Sequence, residues 1–123
     1  IFSVNWFRKG EDGKFVWPGF GENMRCLQWI VSRVHGCGTA EENPLGWTPR
    51  YADLVWEGLE DFTQEDFTKV VSINKKAWED ELQSHAELFE KMGNKLPSEM
   101  DLQRKLIAAQ LKRAPEVWKP SQT

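Results

Sequence analysis

From Trp78 to Met92 the residues Trp78, Leu82, His85, Phe89 and Met92 recur three or four positions apart, in one continuous stripe. A strand would scatter these side chains over both its faces, whereas an α-helix gathers them on one. Gly93 predicts the end of that helix. Pro97 suits the first position of another, running to about Arg113, before Pro115. Upstream, Thr63-Gln64-Glu65-Asp66 reads as a capping box, with Asp66 where Glu or Gln is usual. It predicts a short helix ending near Val71, with Ser72 or Asn74 capping the long one.

The other end of the chain has period two. Phe2, Val4 and Trp6 alternate with Ser3, Asn5 and Phe7, the pattern of a strand. Gly10 and the Asp12-Gly13 pair then mark a turn. Phe15-Val16-Trp17 resumes a strand-like run that stops at Pro18. The expectation is a hairpin with a loop of about seven residues, bringing Phe7 and Phe15 together at its loop end. A helix from about Glu22 to His35 should follow, with Met24, Leu27, Val31 and Val34 on one apolar face and Gly36 and Gly38 behind it. Thr39–Glu60, with Pro44, Gly46, Pro49 and Gly58, reads as an irregular loop fastened by Leu45, Trp47, Tyr51, Leu54 and Trp56. The fold class is therefore α+β, an aromatic β-hairpin followed by about four helices. Ser121-Gln122-Thr123 should fray.

A chain of 123 residues supports one modest domain. Sixteen Lys and Arg stand against nineteen Asp and Glu, for a net charge of -3, which gives no basic excess to favour nucleic acid. No apolar run is long enough to span a membrane. Cys26 and Cys37 make no disulfide scaffold, and reduced thiols in an intracellular protein are the default reading. The opening Ile1-Phe2-Ser3-Val4 reads as the middle of a strand, and the chain as a piece of something longer.

No G-x-x-x-x-G-K-[ST] phosphate loop, H-E-x-x-H or C-x-x-C occurs, and the third glycine of a dinucleotide fingerprint is missing after Gly19-Phe20-Gly21. Cys26, His35 and Cys37 as zinc ligands are outweighed by a helix thiol and two loop residues. His85 reads as a packing residue. The positive feature is the aromatic hairpin. Phe7 falls on the face that otherwise carries Ser3 and Asn5, so it is no obvious core residue. Phe20 is bracketed by Gly19 and Gly21, which let a flat ligand approach the backbone. Asn23 stands at a helix start, where N–H groups lack partners, and its amide both donates and accepts. Rings for stacking beside a polar edge describe a nucleobase pocket, each stack contributing about 1–3 kcal/mol.

Val4-Asn-Trp-Phe-Arg-Lys9 followed by Phe15-Val-Trp-Pro-Gly-Phe-Gly-Glu-Asn23 resembles the GTP-dependent phosphoenolpyruvate carboxykinases, in spacing as well as residue type. Trp29–Gly36, the helix around Trp78 and the Lys95-Leu-Pro97 step also fit. Asn43-Pro-Leu-Gly looks like the family's Thr-Pro-Ile-Gly segment, with Asn43 and Leu45 as departures. The resemblance covers nearly the whole chain, as the C-terminal fifth or so of a family member and the C-terminal part of its mixed α/β nucleotide-binding domain. Residues 1–36 would be the pocket hairpin and helix, and 37–123 the loop and helical tail. It implies an enzyme of gluconeogenesis that converts oxaloacetate and GTP to phosphoenolpyruvate, carbon dioxide and GDP with Mn²⁺ or Mg²⁺. It implies a guanine held between Phe7, Phe15 and Phe20, its edge read by Asn23 and by the backbone of Phe20, Gly21 and Glu22. The phosphate loop, metal ligands and substrate arginines would lie upstream, so this segment alone would be inactive. The implied partners are GTP and the upstream remainder, with neither nucleic acid nor membrane. The whole enzyme would be monomeric and cytoplasmic, or mitochondrial as in some members. Two other readings stand beside it: a non-catalytic helical interaction module using the Trp78–Met92 stripe, and a sugar-binding module using some of the seven Trp.

Overall fold

The computed structural model describes residues 1–122. Among the described residues, four α-helices and two small antiparallel sheets make the fold α+β. Helix α1 spans Asn23–Val34 and follows directly on a 3-10 turn, Phe20–Glu22. Strands β1 (Glu41–Asn43) and β2 (Gly46–Thr48) pair in a short hairpin. Helix α2 spans Gln64–Val71. Its start is the predicted capping box: the Thr63 hydroxyl accepts the Asp66 N–H, and Asp66 accepts the Thr63 N–H, each at 3.2 Å. Strand β3 (Ile73–Asn74) leads into α3 (Lys75–Met92), where the Asn74 side chain accepts the Ala77 N–H at 2.9 Å. Gly93 ends α3 with φ 55°, a conformation that side chains resist. Pro97 stands one residue ahead of α4 (Ser98–Arg113), rather than at its first helical position. Strand β4 (Val117–Trp118) pairs antiparallel with β3, Ile73 opposite Trp118.

The chain divides into two compact units. The first comprises residues 1–42 and 47–72, with Pro120. Its core gathers Trp29, Leu54, Phe62 and Phe67, packed by Tyr51, Trp56, Leu59 and Val70. Fully burying one such side chain contributes about 1.5–3 kcal/mol. Their polar tips find partners: Trp29 donates to the Thr39 carbonyl at 2.9 Å, and the Tyr51 hydroxyl donates to the Phe62 carbonyl at 2.9 Å. The second unit comprises 43–46 and 73–119. There Leu82 of α3 meets Leu111 of α4 and Ile73 of β3, with Leu45, Trp78, Ile107 and Trp118 around them.

Several expectations are corrected. Residues 2–7 form no strand, and the hairpin shrinks to a single bridge, Lys9 opposite Phe15. The Asn5 side chain accepts the Phe7 N–H at 3.0 Å, which curls the chain into a turn where a strand would stay extended. The stretch after Thr39 is less irregular than its prolines suggest. It holds β1, β2 and a 3-10 turn at Tyr51–Asp53, with Asn43 closing the hairpin by accepting the Leu45 and Gly46 N–H groups at 2.8 and 3.0 Å. Trp47 is exposed and fastens nothing. Met24, Leu27, Val31 and Val34 are exposed too, because α1 turns Trp29 and Ile30 inward instead. Ser121 is tied down, its N–H donating to the Glu41 carboxylate at 2.9 and 3.0 Å, while Thr123 lies outside the described residues. Among the described residues no helix is long and apolar enough to cross a membrane.

Candidate functional site

Arg8 anchors the aromatic segment. Its guanidinium donates to the Val70 carbonyl at 3.0 Å, the Ser72 carbonyl at 2.5 Å and the Ser72 hydroxyl at 3.1 Å. A cation there also suits the negative end of α2. Burial lowers the pKa of Arg8 from its ordinary value, but three acceptors keep the charge satisfied. Beyond Arg8 the chain doubles back. Val16 donates to the Arg8 carbonyl and Gly10 to the Lys14 carbonyl, both at 2.9 Å.

This short ladder suffices to bring Phe7 and Phe15 together, with ring centroids 5.9 Å apart and planes at 65°. Both are solvent-facing, 71% and 58% exposed, and Lys9 Nζ stands 5.7 Å from the Phe15 ring centre. Gly19 then takes φ 133° and ψ 179°, a region essentially closed to other residues. The 3-10 turn after it presents Phe20 with 91% exposure. Among the described residues no aromatic ring pairs with Phe20. A Cβ added at Gly21 would meet open space, so the backbone there is approachable.

The turn uses its own donors unequally. The Glu22 N–H goes to the Gly19 carbonyl at 3.1 Å and the Asn23 N–H to the Phe20 carbonyl. The N–H groups of Phe20 and Gly21 stand ahead of these bonds, at the unpaired positive start of the helical segment. The Glu22 carboxylate turns to Arg25 Nε at 2.5 Å. Arg25 also donates to the Val55 carbonyl at 2.5 Å and the Glu57 carbonyl at 3.0 Å, fastening the turn to the loop before α2.

Beneath the turn lies Trp17, only 6% exposed, with ring centroids 5.7 Å from Trp6 and 6.1 Å from Phe62. Its indole N–H donates to Asn23 Oδ1 at 2.8 Å. In sequence Trp17 reads as one more strand residue. The available signal was that a buried indole N–H needs an acceptor, and Asn23 is a polar side chain close by in sequence.

The remaining candidates resolve as structural groups. Cys26 is half-buried, which raises its thiol pKa, and the exposed Cys37 thiol sits 3.5 Å from the His35 carbonyl. Among the described residues no three His, Cys, Asp or Glu side chains gather to hold a metal ion. His85 Nε2 lies 3.1 Å from Glu81 and the ring stacks on Phe89.

The chain belongs to the family described as the phosphoenolpyruvate carboxykinase C-terminal P-loop domain, whose sequence model matches residues 1–110. It is 47% identical over 100 residues to the phosphoenolpyruvate carboxykinase (GTP) of Corynebacterium jeikeium, covering 81% of this chain and 16% of that protein. It is 45% identical over 117 residues to the protein of that name from Anaeromyxobacter dehalogenans, covering 95% of this chain and 20% of the relative. The Corynebacterium efficiens protein is 42% identical over 114 residues, 93% of this chain and 18% of its own length. The chain thus spans about a fifth of the length of the curated relatives it matches.

Proposed function

We propose that this chain forms the guanine-recognising part of the nucleotide-binding domain in a GTP-dependent phosphoenolpyruvate carboxykinase. The observation that carries the reading is the exposed Phe7–Phe15 ring pair, held on the same segment as the strained Gly19 corner, the free face of Gly21 and the Asn23 amide. Exposed rings leave apolar area for a planar base to cover, and stacking on a base contributes about 1–3 kcal/mol per ring. Phe20 supplies a further ring. The backbone of Phe20, Gly21 and Glu22 and the side chain of Asn23 read the polar edge.

In the whole enzyme, a C–C bond of oxaloacetate breaks to release carbon dioxide and leaves its electron pair in an enolate. The enolate oxygen then takes the γ-phosphoryl group of GTP, giving phosphoenolpyruvate and GDP. The phosphate loop and the Mn²⁺ or Mg²⁺ ligands belong to the upstream remainder, so this segment contributes base binding alone. The enzyme acts as a monomer, in the cytoplasm, in the direction of gluconeogenesis. The sugar-binding reading loses support because Trp47 is the only exposed Trp among the described residues. The interaction-module reading loses support because Trp78 and Leu82 of its stripe are engaged by Leu111 and Ile107.

Two variants of the full-length enzyme test the reading. Phe20→Ala should raise KM for GTP and ITP alike with little change in base preference, because stacking does not tell bases apart. Asn23→Ala should narrow the GTP-over-ATP ratio of kcat/KM by about tenfold, the worth of one lost hydrogen bond near 1.4 kcal/mol. Unchanged KM and unchanged preference in both variants would overturn the guanine pocket.

A further inference from the structure

We infer that Trp17 is a specificity-determining positioning residue: its indole N–H fixes which end of the Asn23 amide faces the base. The inference rests on the guanine-pocket reading and goes beyond it. An indole N–H can only donate, so the Asn23 atom 2.8 Å from it must be the acceptor Oδ1. The amide nitrogen is thereby left as the free end, and it can only donate. An outward donor suits guanine and hypoxanthine, whose position 6 carries an acceptor oxygen. It opposes adenine, which carries an amino donor at that position.

Without an anchor, asparagine could not make this choice. Its oxygen and NH₂ ends are nearly the same size, and a half-turn of the terminal torsion exchanges them at little steric cost. A free amide would turn its oxygen to adenine as readily as its nitrogen to guanine. Trp17 removes that freedom because turning the amide would set NH₂ against the indole N–H, donor against donor. Nor can Trp17 follow the amide round. It is 6% exposed and packed by Trp6 and Phe62, so its N–H direction is set by the core of the first unit. Base selectivity is therefore carried by a residue that does not touch the base.

The test uses the full-length enzyme and kcat/KM with GTP, ITP and ATP. Trp17→Phe keeps a large ring in the core and deletes the N–H. It should lower the GTP-over-ATP ratio by about tenfold, chiefly through a lower KM for ATP, with kcat for GTP and ITP nearly unchanged. A merely structural role would weaken all three nucleotides in parallel and leave the ratio alone. Asn23→Asp provides the second arm. One carboxylate oxygen still accepts from Trp17 while the other replaces the outward donor, so GTP and ITP should lose far more than ATP. Because both ends of a carboxylate accept, adding Trp17→Phe in the Asn23→Asp background should not move the ratio further. If Asn23→Ala narrows the ratio while Trp17→Phe leaves it intact, the positioning role is wrong and the guanine pocket stands. If Phe20→Ala and Asn23→Ala are also silent, the pocket falls with it. Should Trp17→Phe fail to fold, a benzothienyl analogue of tryptophan at position 17 replaces it, keeping both fused rings and lacking the N–H: an intact GTP-over-ATP ratio overturns the inference, and a narrowed one supports it.

Discussion

Asp53 shows how one carboxylate organises the loop between β2 and α2. Burial pushes its pKa up, but hydrogen bonds from the Arg50 side chain, the Thr39 hydroxyl and the Arg50 backbone N–H, with the Arg50 charge, outweigh this and hold it below the usual carboxylate range. The Arg50 N–H donates to it at 2.8 Å and Thr39 Oγ1 at 2.5 Å. A depressed carboxylate contributes stability that is present above the unfolded value, about pH 3.9, and is lost as pH falls through the lower folded value. Asp53→Asn should therefore melt below the parent protein at pH 7, and the gap should shrink from about pH 4 downward. Thermal midpoints measured from pH 7 to pH 3 check this. A gap independent of pH would mean that Asp53 acts by shape alone.

At the scale of elements, the helix ends in the second half obey local chemistry. Thr63 and Asp66 form a reciprocal cap, and Asn74 caps α3 within a few residues of sequence. Asn74→Ala should destabilise the protein by about 1 kcal/mol, the usual worth of an N-cap, whereas Asn74→Ser or Asn74→Asp should recover most of it. Denaturant midpoints on the three variants decide. Equal loss in all three would place the role of Asn74 in the β3–β4 pairing instead. By contrast α1 shows an element whose periodicity misleads. Met24, Leu27, Val31 and Val34 form the more obvious apolar stripe, yet Trp29 is the residue buried. Trp29 offers the larger area and an indole N–H that reaches the Thr39 carbonyl, a partner the period alone does not reveal.

The whole molecule leaves uncovered apolar surface in an unexpected place. In sequence, Phe2, Val4 and Trp6 share one apolar face and the Trp78–Met92 stripe forms another. In the structure α4 covers much of the latter, whereas Phe2, Val4 and the stripe of α1 stay exposed. Isolated 123-residue chain should therefore bind a hydrophobic dye strongly or self-associate, and a dye-dark monomer with a cooperative melt would contradict this. The same preparation, given oxaloacetate, GTP and Mn²⁺, should form no GDP, since no phosphate loop is present in its sequence. Measurable turnover by the purified chain would contradict the assignment of catalysis to upstream residues.

What the sequence determined by itself is what depends on neighbours a few residues apart. Helices α2, α3 and α4 fall within a residue or two of their predicted limits because caps, glycines and Pro97 act locally. The meeting of Phe7 and Phe15 was legible for the same reason, since a turn of Gly and Asp lies between them. Phe20, Gly21 and Asn23 were legible as residue types, through the glycines around Phe20 and the motif they resemble. Tertiary structure decided the rest. It curled residues 5–7 out of a strand, paired Ile73 with Trp118 and chose the buried side of α1. It also set the Trp17 indole N–H 2.8 Å from the Asn23 amide oxygen. Each of these choices depends on where a single N–H finds its acceptor once the backbone is in place, and hydrophobic period carries no information about that.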